Sequence, residues 1–285
     1  MKKSKAFSLV ELSVVLLVIS LMSVGVLQGT SAIKQARITN ARSITSTSPV
    51  PTTDGLVAWY EPTLIKSFKT NEIANGSQIT TWYDISPGSV IGKKNSLTVT
   101  ASNNITMSSN GINKLPSVYF GGAGGIVLSN FYQGTSAQNT IFFVVQPFVV
   151  TNNSVIVDAG QTSNIAVFGI FSPSSFQMHF GTNYVFSTSP LTFTGGDSYI
   201  GAVYYNSTSS KAYINDALNI SGGSMFNAGS NILTGIKIGS DRNNDAGFNG
   251  LISEVIVYNR VINGQERKDI MRYLSKKYGI AVANL

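Results

Sequence analysis

The sequence predicts a mainly β protein: one long N-terminal apolar helix, then an antiparallel β-sandwich, then a short C-terminal helix. Three observations carry that prediction. The 21 residues from Phe7 to Leu27 hold a single charge, Glu11. From Asp54 onward, short β-branched and aromatic runs alternate with Gly/Asn/Ser clusters, the pattern of strands separated by turns. After Asn263 the apolar residues change to a helical period. Composition agrees, because 43% of the 285 residues are apolar and only 12% are charged. That charged fraction is about half the ~25% of an ordinary globular chain, which argues against disorder, a coiled coil or a helical bundle.

At ~1.5 Å per residue the Phe7–Leu27 run spans about 31 Å as a helix, enough for a bilayer core of ~30 Å. Lys2, Lys3 and Lys5 precede it and no lysine lies within it, which predicts a cytoplasmic N-terminus and an exported remainder. No other run approaches a second span. Three fates fit such a segment: a secretory signal removed whole, a plain signal anchor, or a leader cut just before the apolar run. Glu11 discriminates. A carboxylate in a membrane helix costs up to ~2.5–3.5 kcal/mol and has no use in a disposable signal. A cut between Ala6 and Phe7 would create an α-ammonium about one helical turn from Glu11. The two could then neutralise each other within one helix or between staggered neighbours.

No proline interrupts residues 7–42, and the only glycines there are Gly25 and Gly29, so the helix is expected to run on past the membrane. The division predicted is 1–6 leader, 7–42 membrane and spine helix, 43–53 an extended Ser/Thr/Pro linker, and 54–285 sandwich.

Within the sandwich the strand candidates are Leu56–Tyr60, Ser117–Phe120, Thr140–Val145, Ser154–Val157, Ala166–Phe171, Phe176–Phe180, Tyr199–Tyr205, Ala212–Ile214, Ile232–Ile238 and Leu251–Tyr258. Asn215-Asp216 reads as a tight turn. In the last helix Asn263 and Glu266 have capping-box spacing, Ile270, Leu274 and Tyr278 form a stripe with Met271 beside it, and Gly279 ends the helix. Arg267, Lys268, Arg272, Lys276 and Lys277 fall largely off the stripe and are expected to form its solvated face.

Chemistry is sparse. With no Cys and one His, disulfides, thiolate metal sites and thiol catalysis are excluded. The net charge of +7 is concentrated at the two ends of the chain, without basic residues interleaved with aromatics, so no nucleic-acid partner is expected. His179 lies in an apolar strand with no Gly-x-Ser-x-Gly elbow and reads as a structural histidine. Gly121–Gly125 is followed by the strand Ile126-Val127-Leu128 rather than a helix, which makes it a turn and not a phosphate loop. Tyr60, Tyr132 and Tyr184 could stack on sugars, although tyrosine is too frequent to single one out.

Two resemblances carry more. Lys5-Ala6-Phe7-Ser8-Leu9-Val10-Glu11-Leu12 resembles the N-terminus of type IV pilins and type II pseudopilins, with Ala6 where the family usually has Gly. The resemblance implies cleavage after Ala6 by prepilin peptidase, N-methylation of Phe7, and a subunit-registering role for Glu11. Asp54–Tyr60, Thr81–Ser86, Leu115–Phe120, the hairpin from Ala212 to Asn215 and above all Phe248–Arg260 resemble the concanavalin A-like, laminin G-type jelly roll. Gln265-Glu266-Arg267 and Tyr273-Leu274 resemble its terminal helix.

That fold includes sugar-binding lectins and glucanases. The glucanase pattern Glu-x-Asp-x-x-Glu, which places acids on one strand face, is absent, and Glu254 stands alone in its strand, so no enzyme is expected. Laminin G-type domains can hold calcium at a rim loop, and Asp241, Asn243, Asn244 and Asp245 offer suitable oxygens. An ordinary Asp/Asn turn is the preferred reading of that loop, with no resident metal or other cofactor.

The whole implies a minor pilin or pseudopilin-like subunit of the bacterial cell envelope, single-pass in the inner membrane, displaying a lectin-like recognition or adhesion domain outside the cytoplasm. Its partners would be prepilin peptidase, other pilin or pseudopilin subunits, and a glycan or surface-protein ligand. The alternatives are a secreted lectin-like protein with a signal peptide, and a glycoside hydrolase on the same fold.

Overall fold

The computed structural model describes residues 8–88, 94–99, 104–132, 137–150, 153–160, 168–172, 175–180, 183–186, 193–221 and 232–283. The chain forms two compact units, residues 1–40 and 41–285.

Helix α1 runs from Leu9 to Ser46, 38 residues, or about 57 Å at ~1.5 Å per residue. The helix therefore ends four residues beyond the expected boundary at 42, and residues 43–53 are not an extended linker. Thr45, Ser48, Val50 and Thr53 are buried, and Val50–Thr52 form a 3-10 turn opened by Pro49. The hydroxyl residues turn the backbone back on itself: Thr45 Oγ1 donates to the Ala41 carbonyl at 3.0 Å, and Thr52 and Thr53 both donate to Pro49 at 3.0 Å. Such side-chain bonds compete with extended chain, and composition alone does not reveal which will win.

Sixteen strands follow among the described residues. In chain order they are β1 (Leu56–Tyr60), β2 (Thr81–Trp82), β3 (Leu97–Val99), β4 (Ile105–Ser108), β5 (Ser117–Gly121), β6 (Ile126–Leu128), β7 (Asn139–Pro147), β8 (Ser154–Ala159), β9 (Phe168–Ser172), β10 (Ser175–Phe180), β11 (Asn183–Phe186), β12 (Tyr199–Tyr205), β13 (Lys211–Ile214), β14 (Ala217–Ser221), β15 (Ile236–Ile238) and β16 (Asn249–Tyr258). The first sheet has the order β14-β13-β12-β7-β16-β5-β4, with β1 also on β16, and the second has the order β11-β10-β9-β8-β15-β6-β3-β2. The pairings are antiparallel.

Strand β7 shows why the first sheet is buried on both faces. Its apolar run does not alternate with polar residues: Ile141, Phe143 and Val145 enter the core between the sheets, while Phe142 and Val144 enter a second core on the opposite face. That second core is closed by helix α2 (Gly264–Tyr278), which contributes Ile270, Met271, Leu274 and Tyr278. The expected capping box is present, with Asn263 accepting from the Gln265 and Glu266 amides and Gly279 ending the helix at φ 64°. Asn215 and Asp216 make the two-residue turn between β13 and β14 with φ of 49° and 61°, the left-handed pair that such hairpins need.

The expected strand Ile232–Ile238 is shortened to Ile236–Ile238. Gly235 packs backbone against backbone there, and a Cβ would lie 2.1 Å from the Leu128 carbonyl oxygen. Gly121–Gly125 joins β5 to β6 as a turn, with Gly122 at φ 84° and Gly124 at φ 72°.

Candidate functional site

Ala6 and Phe7 lie outside the described residues. Glu11 sits in the first turn of α1, where its Oε2 accepts the Ser8 amide at 2.8 Å and its own amide donates to Ser8 Oγ at 3.1 Å. That reciprocal pair is a capping box, so the one carboxylate of the apolar stretch satisfies the helix start. The side chains around it are exposed, among them Leu12, Leu16, Ile19 and Met22. The helix has a mean hydropathy of 2.5 over its most apolar window, and it is long enough to cross a bilayer. Ser13, Ser20 and Ser23 donate their hydroxyls to the carbonyls of Val10, Leu16 and Ile19. The helix thus presents lipid or a neighbouring helix with little unsatisfied polarity.

The sandwich holds a charged cluster that the sequence did not reveal. Lys277, expected on a solvated face, is fully buried: its Nζ donates to Glu61 Oε1 at 2.5 Å, to Glu254 Oε2 at 2.9 Å and to Tyr273 Oη at 3.2 Å. Glu254 is alone in its strand yet not in space. It also accepts from Trp59 Nε1 at 2.6 Å, Tyr273 Oη at 2.7 Å and Tyr278 Oη at 2.9 Å. Glu61 takes the Thr63 amide at 2.9 Å, the Thr63 hydroxyl at 2.5 Å and the Leu64 amide at 3.0 Å. Burial pushes the Glu254 carboxyl up from the usual range, and Lys277 opposes that rise. Every oxygen of both acids is occupied and none of the three side chains reaches solvent. Two carboxylates sealed in this way cannot meet a glycosidic bond; they bind helix α2 to β1 and β16.

Arg267 is also anchored, with Nε 2.7 Å from Asp216 Oδ1 and the guanidinium 4.0 Å above the Tyr213 ring. Of the expected solvated basic face, Arg272 and Lys276 are exposed. Helical periodicity in fact places Arg267 and Lys277 on the arc of Ile270, Leu274 and Tyr278; their charge, and not their position, is what suggested a solvated face.

The rim loop is internally bonded. Asp241 Oδ1 accepts the Asp245 and Ala246 amides at 2.7 and 3.0 Å, and Oδ2 accepts the Asn243 amide at 3.3 Å. Lys237 Nζ donates to Asn244 Oδ1 at 2.7 Å and to the Arg242 carbonyl at 3.2 Å. Arg242 itself pairs with Asp158 at 3.2 Å. The four residues considered for calcium therefore share one loop, where Asp241 shapes the turn and Asn244 faces an ammonium. Nearby, His179 is half-buried, and desolvation, followed by the charge of Arg242, pushes its pKa down. Of the tyrosines, Tyr60 is buried, Tyr132 is 64% exposed, and the side chain of Tyr184 is outside those described.

Comparison with known proteins places these features. Residues 120–266, just over half of the chain, match the concanavalin A-like lectin/glucanases superfamily. Residues 1–27 match the prokaryotic N-terminal methylation motif. Among solved structures, domain 4 of the GH43 extracellular arabinanase AbnA from Geobacillus stearothermophilus, in complex with arabinotriose, is similar with TM-score 0.54 and 17% identity. That likeness covers 76% of this chain and 98% of that one. Trypanosoma rangeli sialidase is similar with TM-score 0.52 and 16% identity over 80% of this chain, which spans only 33% of the sialidase. At these identities the likeness is one of fold. No curated protein matches the sequence.

Proposed function

The chain belongs to the concanavalin A-like lectin/glucanases superfamily, and on that premise we propose that it is a prepilin-processed, membrane-anchored envelope subunit whose exported head binds carbohydrate without catalysing its hydrolysis. Prepilin peptidase would cut after Ala6 and N-methylate Phe7. Helix α1 would then hold the subunit in the inner membrane until it packs against other pilin or pseudopilin subunits.

The observation that carries this reading is Glu11, one acid in the apolar stretch of α1, whose large side chains from Leu9 to Val26 are exposed where they are described. A cationic partner would offset the cost of retaining that charge in a membrane, beyond what its bond to the Ser8 amide supplies. The α-ammonium released at Phe7 supplies one, in the same subunit or in a neighbour, and the pairing would fix axial register during assembly.

For the head, the fold it shares with an arabinotriose-binding arabinanase domain supports a sugar ligand. The sealing of Glu61 and Glu254 supports a binding module over a hydrolase. Intact mass spectrometry and N-terminal sequencing of the chain expressed with a prepilin peptidase test the anchor. A start at N-methylated Phe7 supports it, whereas a start beyond the apolar run would leave a secreted lectin-like protein.

A further inference from the structure

We propose that the head binds a neutral saccharide on a patch of its first sheet that the described residues leave partly open, formed by Asn104, Thr106, Tyr119, Gln146, Phe148 and Asn249; this rests on the carbohydrate-binding reading above. Register builds the patch. On β4, β5, β16 and β7, Thr106 is opposite Tyr119, Tyr119 opposite Leu251, and Leu251 opposite Gln146. One pleat further along, Asn249 is opposite Gly121, and its carbonyl takes the Phe148 amide at 2.9 Å.

Alternation puts these side chains on the face that bears Phe142, Val144 and Ile256. Helix α2 covers those three residues, whereas Phe148 is 46% exposed. The Tyr119 and Phe148 rings stack with centroids 5.9 Å apart and planes 27° apart. The Gln146 amide is held by the Gly196 carbonyl. Gly121 keeps the floor flat, since a Cβ there would lie 2.6 Å from Asn104 Cβ.

The chemistry selects the occupant. The stacked pair leaves an outer ring face for the C–H face of a sugar ring, while three side-chain amides and the Thr106 and Tyr119 hydroxyls can both donate to and accept from its hydroxyls. None of the six side chains is charged, so nothing in the patch balances a carboxylate or sulfate; a neutral polyol is the complementary ligand.

The test uses the full-length chain in detergent on an array of neutral and anionic glycans. Arabinotriose is included among the neutral probes. Neutral glycan binding is expected to weaken tenfold or more in Phe148→Ala and Tyr119→Ala, to survive in Tyr119→Phe, and to be unchanged in Tyr132→Ala, whose ring is exposed elsewhere. Thermal melts that match the parent chain would exclude unfolding as the cause. Neutral glycan binding that persists in both alanine variants would overturn the patch and leave the lectin-like reading intact. Binding confined to anionic glycans would overturn the neutral class. Silence of the parent chain on every glycan would overturn the recognition reading itself. Loss of self-association in Phe148→Ala, without any glycan binding by the parent, would instead make the patch a contact between copies.

Discussion

Lys277 Nζ and Glu61 Oε1 lie 2.5 Å apart, 216 residues apart in sequence, with neither side chain exposed. A lysine in the last turn of α2 and an acid just after β1 thereby close the sandwich at its two ends, and Glu254 on β16 completes the junction at 2.9 Å. Burying three charges is costly, and their mutual attraction offsets that cost only with full hydrogen bonding, which the cluster has. The consequence is an asymmetry between removing one member and removing all.

Lys277→Met is expected to destabilise the head by about 3–5 kcal/mol, because it strands two carboxylates in a dry interior. The triple variant Glu61→Gln/Glu254→Gln/Lys277→Met should lose clearly less. Urea unfolding followed by tryptophan fluorescence reads this in the intact chain, since Trp59 and Trp82 are its only tryptophans and both lie in the unit 41–285. Equal losses would refute the asymmetry.

The same cluster sets a pH dependence. Burial raises the Glu254 carboxyl above its ordinary range, against the pull of Lys277. The folded state thus holds a proton more tightly than the unfolded chain does. Its contribution is fully present below the ordinary carboxylate pKa of about 4.3 and is lost as pH rises through the native value. Burial likewise raises Asp84, against hydrogen bonds from Ser86 and the Trp59 amide. As pH rises above about 4.3, stability plotted against pH should fall less steeply in Glu254→Gln than in the parent. Parallel slopes would show that Glu254 titrates alike in both states.

Much of this architecture was legible in the sequence, and particular residues show where legibility stopped. The capping box at Asn263 and Glu266, the Asn215-Asp216 turn and the strands of β1, β7, β12 and β16 depend on neighbours a few residues away, so local pattern finds them. The burial of Lys277 depends on Glu61 and Glu254, which only the tertiary fold brings near. Strands β2, β3, β4, β11 and β14 are not among those expected, because two to five residues carry little period unless the run is wholly apolar, as in β6. Gly235 ended a strand early through a backbone contact that no propensity encodes. For the candidate sites, Glu11 was visible because a charge in an apolar run is conspicuous. The Tyr119–Phe148 patch was not, since its members come from four strands.

Glu11→Val should leave membrane insertion intact, because it makes the segment more apolar. It removes the acceptor of the Ser8 amide, one half of the capping box, and the proposed partner of the Phe7 ammonium. Co-purification of the variant with filaments, or crosslinking to neighbouring subunits, is expected to fall at least tenfold. Glu11→Asp should retain more than Glu11→Gln, since charge is the property proposed to matter. Equal incorporation of all three would remove the register role.

The rim loop supplies the last expectation. Calcium takes six to eight oxygens at about 2.3–2.6 Å. Here Asp241 spends both oxygens on amides of its own turn, and Lys237 Nζ already donates to Asn244 Oδ1 and the Arg242 carbonyl. Burial pulls the Lys237 pKa down, but Asp241, Asp158 and Asp245 oppose it, as they would for any cation held there. The ammonium therefore does internally what a metal would do from outside, and a metal would have to expel it. Millimolar calcium should leave the melting temperature of the parent chain where it is in EDTA, whereas a ligand at a hundred times its Kd would add about 2.7 kcal/mol, a shift of several degrees. Lys237→Met should melt earlier, having left Asp158 and Asp241 with less compensating charge, and calcium should restore part of the loss in that variant alone. A calcium-dependent rise in the parent would mean that the loop opens and that its oxygens, rather than the lysine, define the site.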